Sequence, residues 1–216
     1  MHLIYLLQFK PPFTLFIASS IMSLEIVSRD EWGAKPPKLV ASINKTMQYV
    51  IIHHSNSPKF CNTSERCIAA MQNIQQFHQI ERGWNDIGYH FAIGGDGKVY
   101  EGRGFNKVGA HAPGYNSNGI GICLIGDFQD VLPPKNMLRA TKNLIECAVE
   151  KKYLSNNYTL YGHKQVRSTA CPGPALFNEI QKWPHFSEIA KIIDIEQEPM
   201  GQTQTVQPPQ TQPTQA

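Results

Sequence analysis

The segment QYVIIHHS, residues 48–55, limits the fold more than any other stretch of this chain. Val50, Ile51 and Ile52 form an unbroken β-branched run, which has no polar face to turn towards water. Such a run reads as a strand buried on both sides, so other layers must cover it. It ends on two imidazoles, His53 and His54, which places titratable groups at the rim of a buried sheet.

The neighbouring segments supply those layers. In TSERCIAAMQNIQQFHQIERGW, residues 63–84, Ile68, Met71, Ile74 and Phe77 recur at helical spacing; Thr63 or Ser64 caps the start and Gly83 ends it. GYHFAIGGDGKVYEGRG, residues 88–104, reads as two strands joined by a Gly-Asp-Gly turn. IGICLIGDF, residues 120–128, is a further apolar strand. After Pro133-Pro134 a second helix runs to about Lys152, with Leu138, Thr141, Ile145 and Ala148 on one stripe. TLYGH (159–163) is a short strand ending on His163, and a third helix from Pro174 is stopped by Pro184. Strands alternating with helices predict an α/β fold, a single domain with a central mixed β-sheet flanked by helices.

The chain has 216 residues, enough for one domain and its extensions. Its 41% hydrophobic and 17% charged residues fit a globular protein. Lysine and arginine total 20 against 17 acidic residues, with no basic stripe, which argues against nucleic-acid binding. Residues 1–24 are apolar in two pieces broken by Lys10-Pro11-Pro12; both are too short for a membrane span. The second piece resembles a signal-peptide core, so secretion is expected, with an intracellular location as the alternative because the lysine and prolines are atypical there. Residues 25–190 form the predicted domain, and residues 191–216, rich in Gln, Pro and Thr, a disordered tail. Nothing in the pattern calls for an obligate protein partner.

Five cysteines remain to be placed. Cys61 and Cys67 lie six residues apart where a loop enters a helix; a bridge there would contribute roughly 2 kcal/mol and needs an oxidising compartment. The sequons at Asn44, Asn62 and Asn157 are compatible with that compartment. Cys123 and Cys147 read as buried thiols. Cys171 is left over, in GHKQVRSTACPG, a stretch with neither helical nor strand periodicity.

In open α/β sheets, sites form beyond the carboxyl ends of strands. His53 and His163 both fall at such ends, and Cys171 lies on the loop after the second. Two imidazoles and one thiolate suit catalytic zinc, which takes three protein ligands and leaves a fourth position open. Such a set keeps a net charge near +1 and leaves the metal acidic. The His163–Cys171 spacing is weak by itself, and a surface histidine beside a packed cysteine would read the same way. The His53–His54 pair is also ambiguous, because adjacent strand residues face opposite sides and only one can ligate.

Four segments, IIHHS, ERGWNDIGYHFAIGGDGKVYEGRG, VGAHAPGYNSNGIGICLIGDF and YGHKQVRSTACPG, resemble in order those of insect peptidoglycan recognition proteins, related to the bacteriophage-type N-acetylmuramoyl-L-alanine amidases. The similarity covers about residues 25–190 and is greatest to the amidase-active, LB-type branch. It implies a peptidoglycan-binding groove with Zn2+ at its floor, held by His53, His163 and Cys171, with His54 turned to the core or towards a supporting partner. Tyr89 matches the family's active-site tyrosine. Thr169 stands where the phage-type enzymes have lysine. Non-catalytic members typically lose the cysteine that this chain keeps. Gly83-Trp84 accompanies preference for meso-diaminopimelate in the family, and Arg103 is expected to meet its extra carboxylate. His111 is expected to line the groove and touch glycan or peptide. The resemblance thus implies a zinc amidase acting on peptidoglycan and muropeptides, a scavenger in innate immunity. A non-catalytic receptor is the alternative, and a structural-zinc protein without a groove a third.

Overall fold

In the computed structural model, residues 24–190 are described. The expected tail, and all but the last residue of the expected leader, lie outside them. The run around Ile51 becomes β2 (Met47–His54), one strand in from the edge of a six-stranded sheet. The other strands are β1 (Ile26–Val27), β3 (Phe91–Ile93), β4 (Val99–Glu101), β5 (Gly119–Leu124) and β6 (Leu154–Gly162), in the order β1-β4-β3-β5-β2-β6. Only β3 and β4 pair antiparallel, so the sheet is mixed, as expected.

Because side chains alternate along β2, its two faces meet different layers. Val50 and Ile52 join Ile120, Ile122 and Leu124 in a core closed by α2 (Lys135–Glu150) and α4 (Pro174–Ile180). The opposite face carries Cys123 and Ala92 against Met71 and Ile74 of α1 (Ser64–Gln76), with Ile51 packed on Ala112, Tyr115 and Tyr161 beside them. Thr63 caps α1 by accepting from Arg66 N–H, and Cys61 is disulfide-bonded to Cys67, the pairing expected from their spacing. Asp96, in the β3–β4 turn, accepts from the Tyr100 and Ser64 hydroxyls and pins the hairpin to the start of α1.

Three local features depart from the sequence reading. The helix expected to run to Gly83 changes winding at Gln76 and finishes as a π-helical turn, Phe77–Glu81. Gly83, at φ +69°, reverses the chain, and Trp84 N–H closes the turn on the His78 carbonyl at 2.9 Å. β6 begins five residues earlier than expected, because an edge strand tolerates the polar Ser155–Asn157 that hid it. His163 opens a four-residue helix, α3 (His163–Val166), whose preceding Gly162 N–H is capped by Gln165 Oε1 at 2.9 Å. Among the described residues, no helix is long and apolar enough to cross a membrane.

Candidate metal centre and adjoining cleft

β2 and β6 run parallel, with Ile52 paired to Gly162, so His53 and His163 follow side by side at their carboxyl ends. The two rings lie 4.3 Å apart between centroids. The loop after α3 returns Cys171 to the same point, with Sγ 3.8 Å from His53 Nδ1. One donor atom from each of the three residues falls within 4.8 Å of the others. His163 Nε2 is buried without a hydrogen-bond partner among the described residues. A buried, unsatisfied ring nitrogen is costly unless something binds it. Two imidazole nitrogens and a sulfur form a borderline-soft donor set that fits zinc, so the residues present suit the metal the resemblance implies.

The pleat settles the histidine pair. His54 turns to the α2–α4 side, where its Nδ1 accepts from Phe128 N–H at 3.3 Å. Its backbone still serves the cluster, since His54 N–H donates to Cys171 Sγ at 3.3 Å. Burial drives His53 well below the usual imidazole range, reinforced by His163 and His111, and it brings His163 to about 4. Both rings are therefore neutral, the form that ligates. Burial also pushes the Cys171 thiol up to about 12, partly offset by the His54 N–H, so uptake of a cation releases its proton.

Tyr89 stands at the mouth of the cluster, its ring 5.2 Å from that of His53. Burial holds its phenol well above the ordinary range, reinforced by the nearby Cys123 and Cys171 thiols, and so protonated at neutral pH. Cys123 is the β5 partner of His53 in register, a neighbourhood that the reading of a buried thiol did not contain. Thr169 Oγ1 accepts from Cys171 N–H at 3.2 Å and ties down the loop that delivers the sulfur. His111 is only 7% exposed and sits behind His53, with Nδ1 3.1 Å from His53 Nε2.

A cleft of about 500 Å³ adjoins Tyr89, lined by Ser55–Pro58, Phe77, His78, Glu81 and Arg82. His78 is a cleft residue missed in the sequence; the π turn lays it flat on Trp84, centroids 4.6 Å apart. Gly83 is exposed, and a Cβ there would meet nothing within 4 Å, so its requirement is its backbone angle. Arg103 donates Nε to Ile87 O and Nη1 to Val108 O, each at 2.6 Å. It lines a smaller cavity of about 110 Å³ with Arg29, Asp86 and Lys107.

His90, behind His111, is fully buried; its Nδ1 accepts from Gly121 N–H and its Nε2 bonds the Lys107 carbonyl. Burial lowers it to about 4, against about 6.5 in an unfolded chain. Between those values the unfolded state binds the extra proton, so stability falls as pH drops through the window. His90 alone is expected to cost the zinc-free protein about 3 kcal/mol by pH 4. Urea midpoints from pH 7 to 4.5 test this: the acid-side slope should be shallower in His90→Gln, and an unchanged slope would exclude His90 as a source.

Sequence and structural comparisons agree with this geometry. Residues 43–174 match the family described as N-acetylmuramoyl-L-alanine amidase. The chain is 53% identical to peptidoglycan-recognition protein LB of Drosophila melanogaster over 80% of its own length and 75% of the relative's. It is 42% identical to the SC2 protein of the same organism, over 80% and 93%. The wild-type Drosophila LB protein superposes with a TM-score of 0.77 at 54% identity, covering 78% of this chain and 99% of that one. A Tyr-to-Phe mutant of that protein, solved in complex with tracheal cytotoxin, gives 0.74 at 55%, over 75% and 96%. The family match gives the class, that of the N-acetylmuramoyl-L-alanine amidases, and the relatives narrow it. The chain belongs to the peptidoglycan recognition proteins of the N-acetylmuramoyl-L-alanine amidase family.

Proposed function

We propose that the protein is a secreted, zinc-dependent N-acetylmuramoyl-L-alanine amidase that binds diaminopimelate-type peptidoglycan and muropeptides and limits immune signalling by destroying them. The observation that carries the reading is the buried His163 Nε2, without a hydrogen-bond partner among the described residues, on a ring whose residue shares one point with His53 and Cys171 beside Tyr89. His53, His163 and Cys171 would hold the zinc, which would supply a water nucleophile of near-neutral pKa and a Lewis acid for the lactyl carbonyl. The bond cut joins that carbonyl carbon to the alanine nitrogen; water delivers hydroxyl to the carbon and a proton to the leaving amine.

The side chains divide the remaining work. Tyr89, a protonated phenol, donates to the oxygen on which negative charge develops. Thr169 is too weak an acid to protonate the amine; it holds the Cys171 loop and orients water. Gly83 and Trp84 shape the wall for the stem peptide. Arg103 reaches a diaminopimelate carboxylate through Nη2, whose contact with Asp86 O is a loose 3.5 Å, while Nε and Nη1 stay on the backbone. The disulfide supports passage through an oxidising compartment.

The test is hydrolysis of a diaminopimelate-type muropeptide by the full-length chain, with zinc restored and with chelator. Free stem peptide, lost on chelation, supports the amidase. Tight muropeptide binding without cleavage in the zinc-loaded protein would make it a receptor.

A further inference from the structure

We infer that His111 is a positioning residue for the metal centre: it holds His53 in the one tautomer that turns a bare Nδ1 towards a cation. The inference deepens the zinc reading and rests on it. The Gly119 carbonyl lies 3.3 Å from His111 Nε2 and can only accept a hydrogen bond. His111 therefore carries its proton on Nε2, and the neutral ring leaves Nδ1 bare. That bare atom stands 3.1 Å from His53 Nε2, so His53 must donate there. A neutral His53 with its proton on Nε2 has a free lone pair on Nδ1, the atom 3.8 Å from Cys171 Sγ. One backbone carbonyl thus sets the proton positions of two rings in series.

The ring of His111 has little freedom to leave this position. It lies where a Cβ on Gly121 would collide with it, and a Cβ on Gly109 would press on the His111 and His90 rings. Asn116 Oδ1 accepts from both His111 N–H and Ala112 N–H, at 2.8 and 2.9 Å, which locks the backbone that carries the ring. Without an acceptor at His111, the His53 proton has a rival place on Nδ1, beside the Cys171 sulfur, where it would block the metal. Partners that hold the far nitrogen of a ligating histidine are typically worth about 10- to 100-fold in metal affinity.

The experiment uses the full-length protein, labelled with 15N-histidine and stripped of metal. Long-range 1H–15N correlation should place the His53 and His111 protons on Nε2 in both rings. Zinc affinity, read by competition with a chromophoric chelator, should fall about 10- to 100-fold in His111→Leu. It should recover largely in His111→Asn, whose Oδ1 replaces the accepting Nδ1. A His53 proton on Nδ1 in the wild type overturns the inference, and this measurement needs no variant to fold. So does a folded His111→Leu protein that binds zinc within about twofold of the wild type. The stated tautomers in a protein that takes up no zinc would uphold the proton positions and overturn the amidase reading instead.

Discussion

Replacing Cys171 with alanine is expected to reduce muramoyl-alanine hydrolysis to the level of the chelated wild type. The thiol is one of three donors around a point that has no other ligand among the described residues, and two neutral imidazoles hold zinc poorly by themselves. The side chain is small and half-buried, so its loss should cost only about 1 kcal/mol of apo-protein stability. Three measurements separate the effects: zinc content after dialysis, muropeptide cleavage and the zinc-free melting curve. The variant should melt much as the wild type does, carry no stoichiometric zinc and release no stem peptide. A Cys171→Ala protein that keeps both equimolar zinc and activity would remove the sulfur from the site.

Tyr89→Phe should separate chemistry from metal binding. The ring and its contact with His53 remain, so zinc content and muropeptide affinity should be close to wild type. What is lost is one hydroxyl, a protonated donor at the mouth of the cluster. Donors aimed at a developing oxyanion are worth about 3 kcal/mol, so kcat should fall about 10²- to 10³-fold with KM little changed. The Cys123 thiol keeps its contact with the Leu124 carbonyl, so the substitution should cost little stability. If kcat survives the substitution, Tyr89 packs the wall of the cleft and the oxyanion is held by something else.

Much of this could be read from the chain, for identifiable reasons. The β2 strand was legible because Val50–Ile52 can only be buried on both sides, and the hairpin because Gly94–Gly97 leave few other turns. The convergence of His53 and His163 followed from the rule that sites lie beyond carboxyl strand ends, and their adjacent strands bear it out. The first half of β6 was hidden because pairing at an edge is decided by backbone hydrogen bonds, not by apolar pattern. The π turn was hidden because five residues change winding without changing spacing enough to notice. His111 was expected to touch ligand, and its contact with His53 was beyond reach of the pattern: it depends on space left by Gly121, 10 residues later and in another element. The IGIC run did contain a hint, since a glycine inside a strand often marks the close approach of another group.

The pairing of Ile52 with Gly162 has one more consequence. A slip of one residue between β2 and β6 would set His53 beside Gly162 or Lys164 and swing the alternate side chains to the wrong face. The donors come from segments more than a hundred residues apart, so no fragment or partly assembled chain brings them together. If the protein is the zinc amidase proposed above, metal content in a preparation would count correctly threaded molecules. An assay for zinc would then serve as an assay of strand-pairing fidelity, sensitive to threading errors that circular dichroism would pass over.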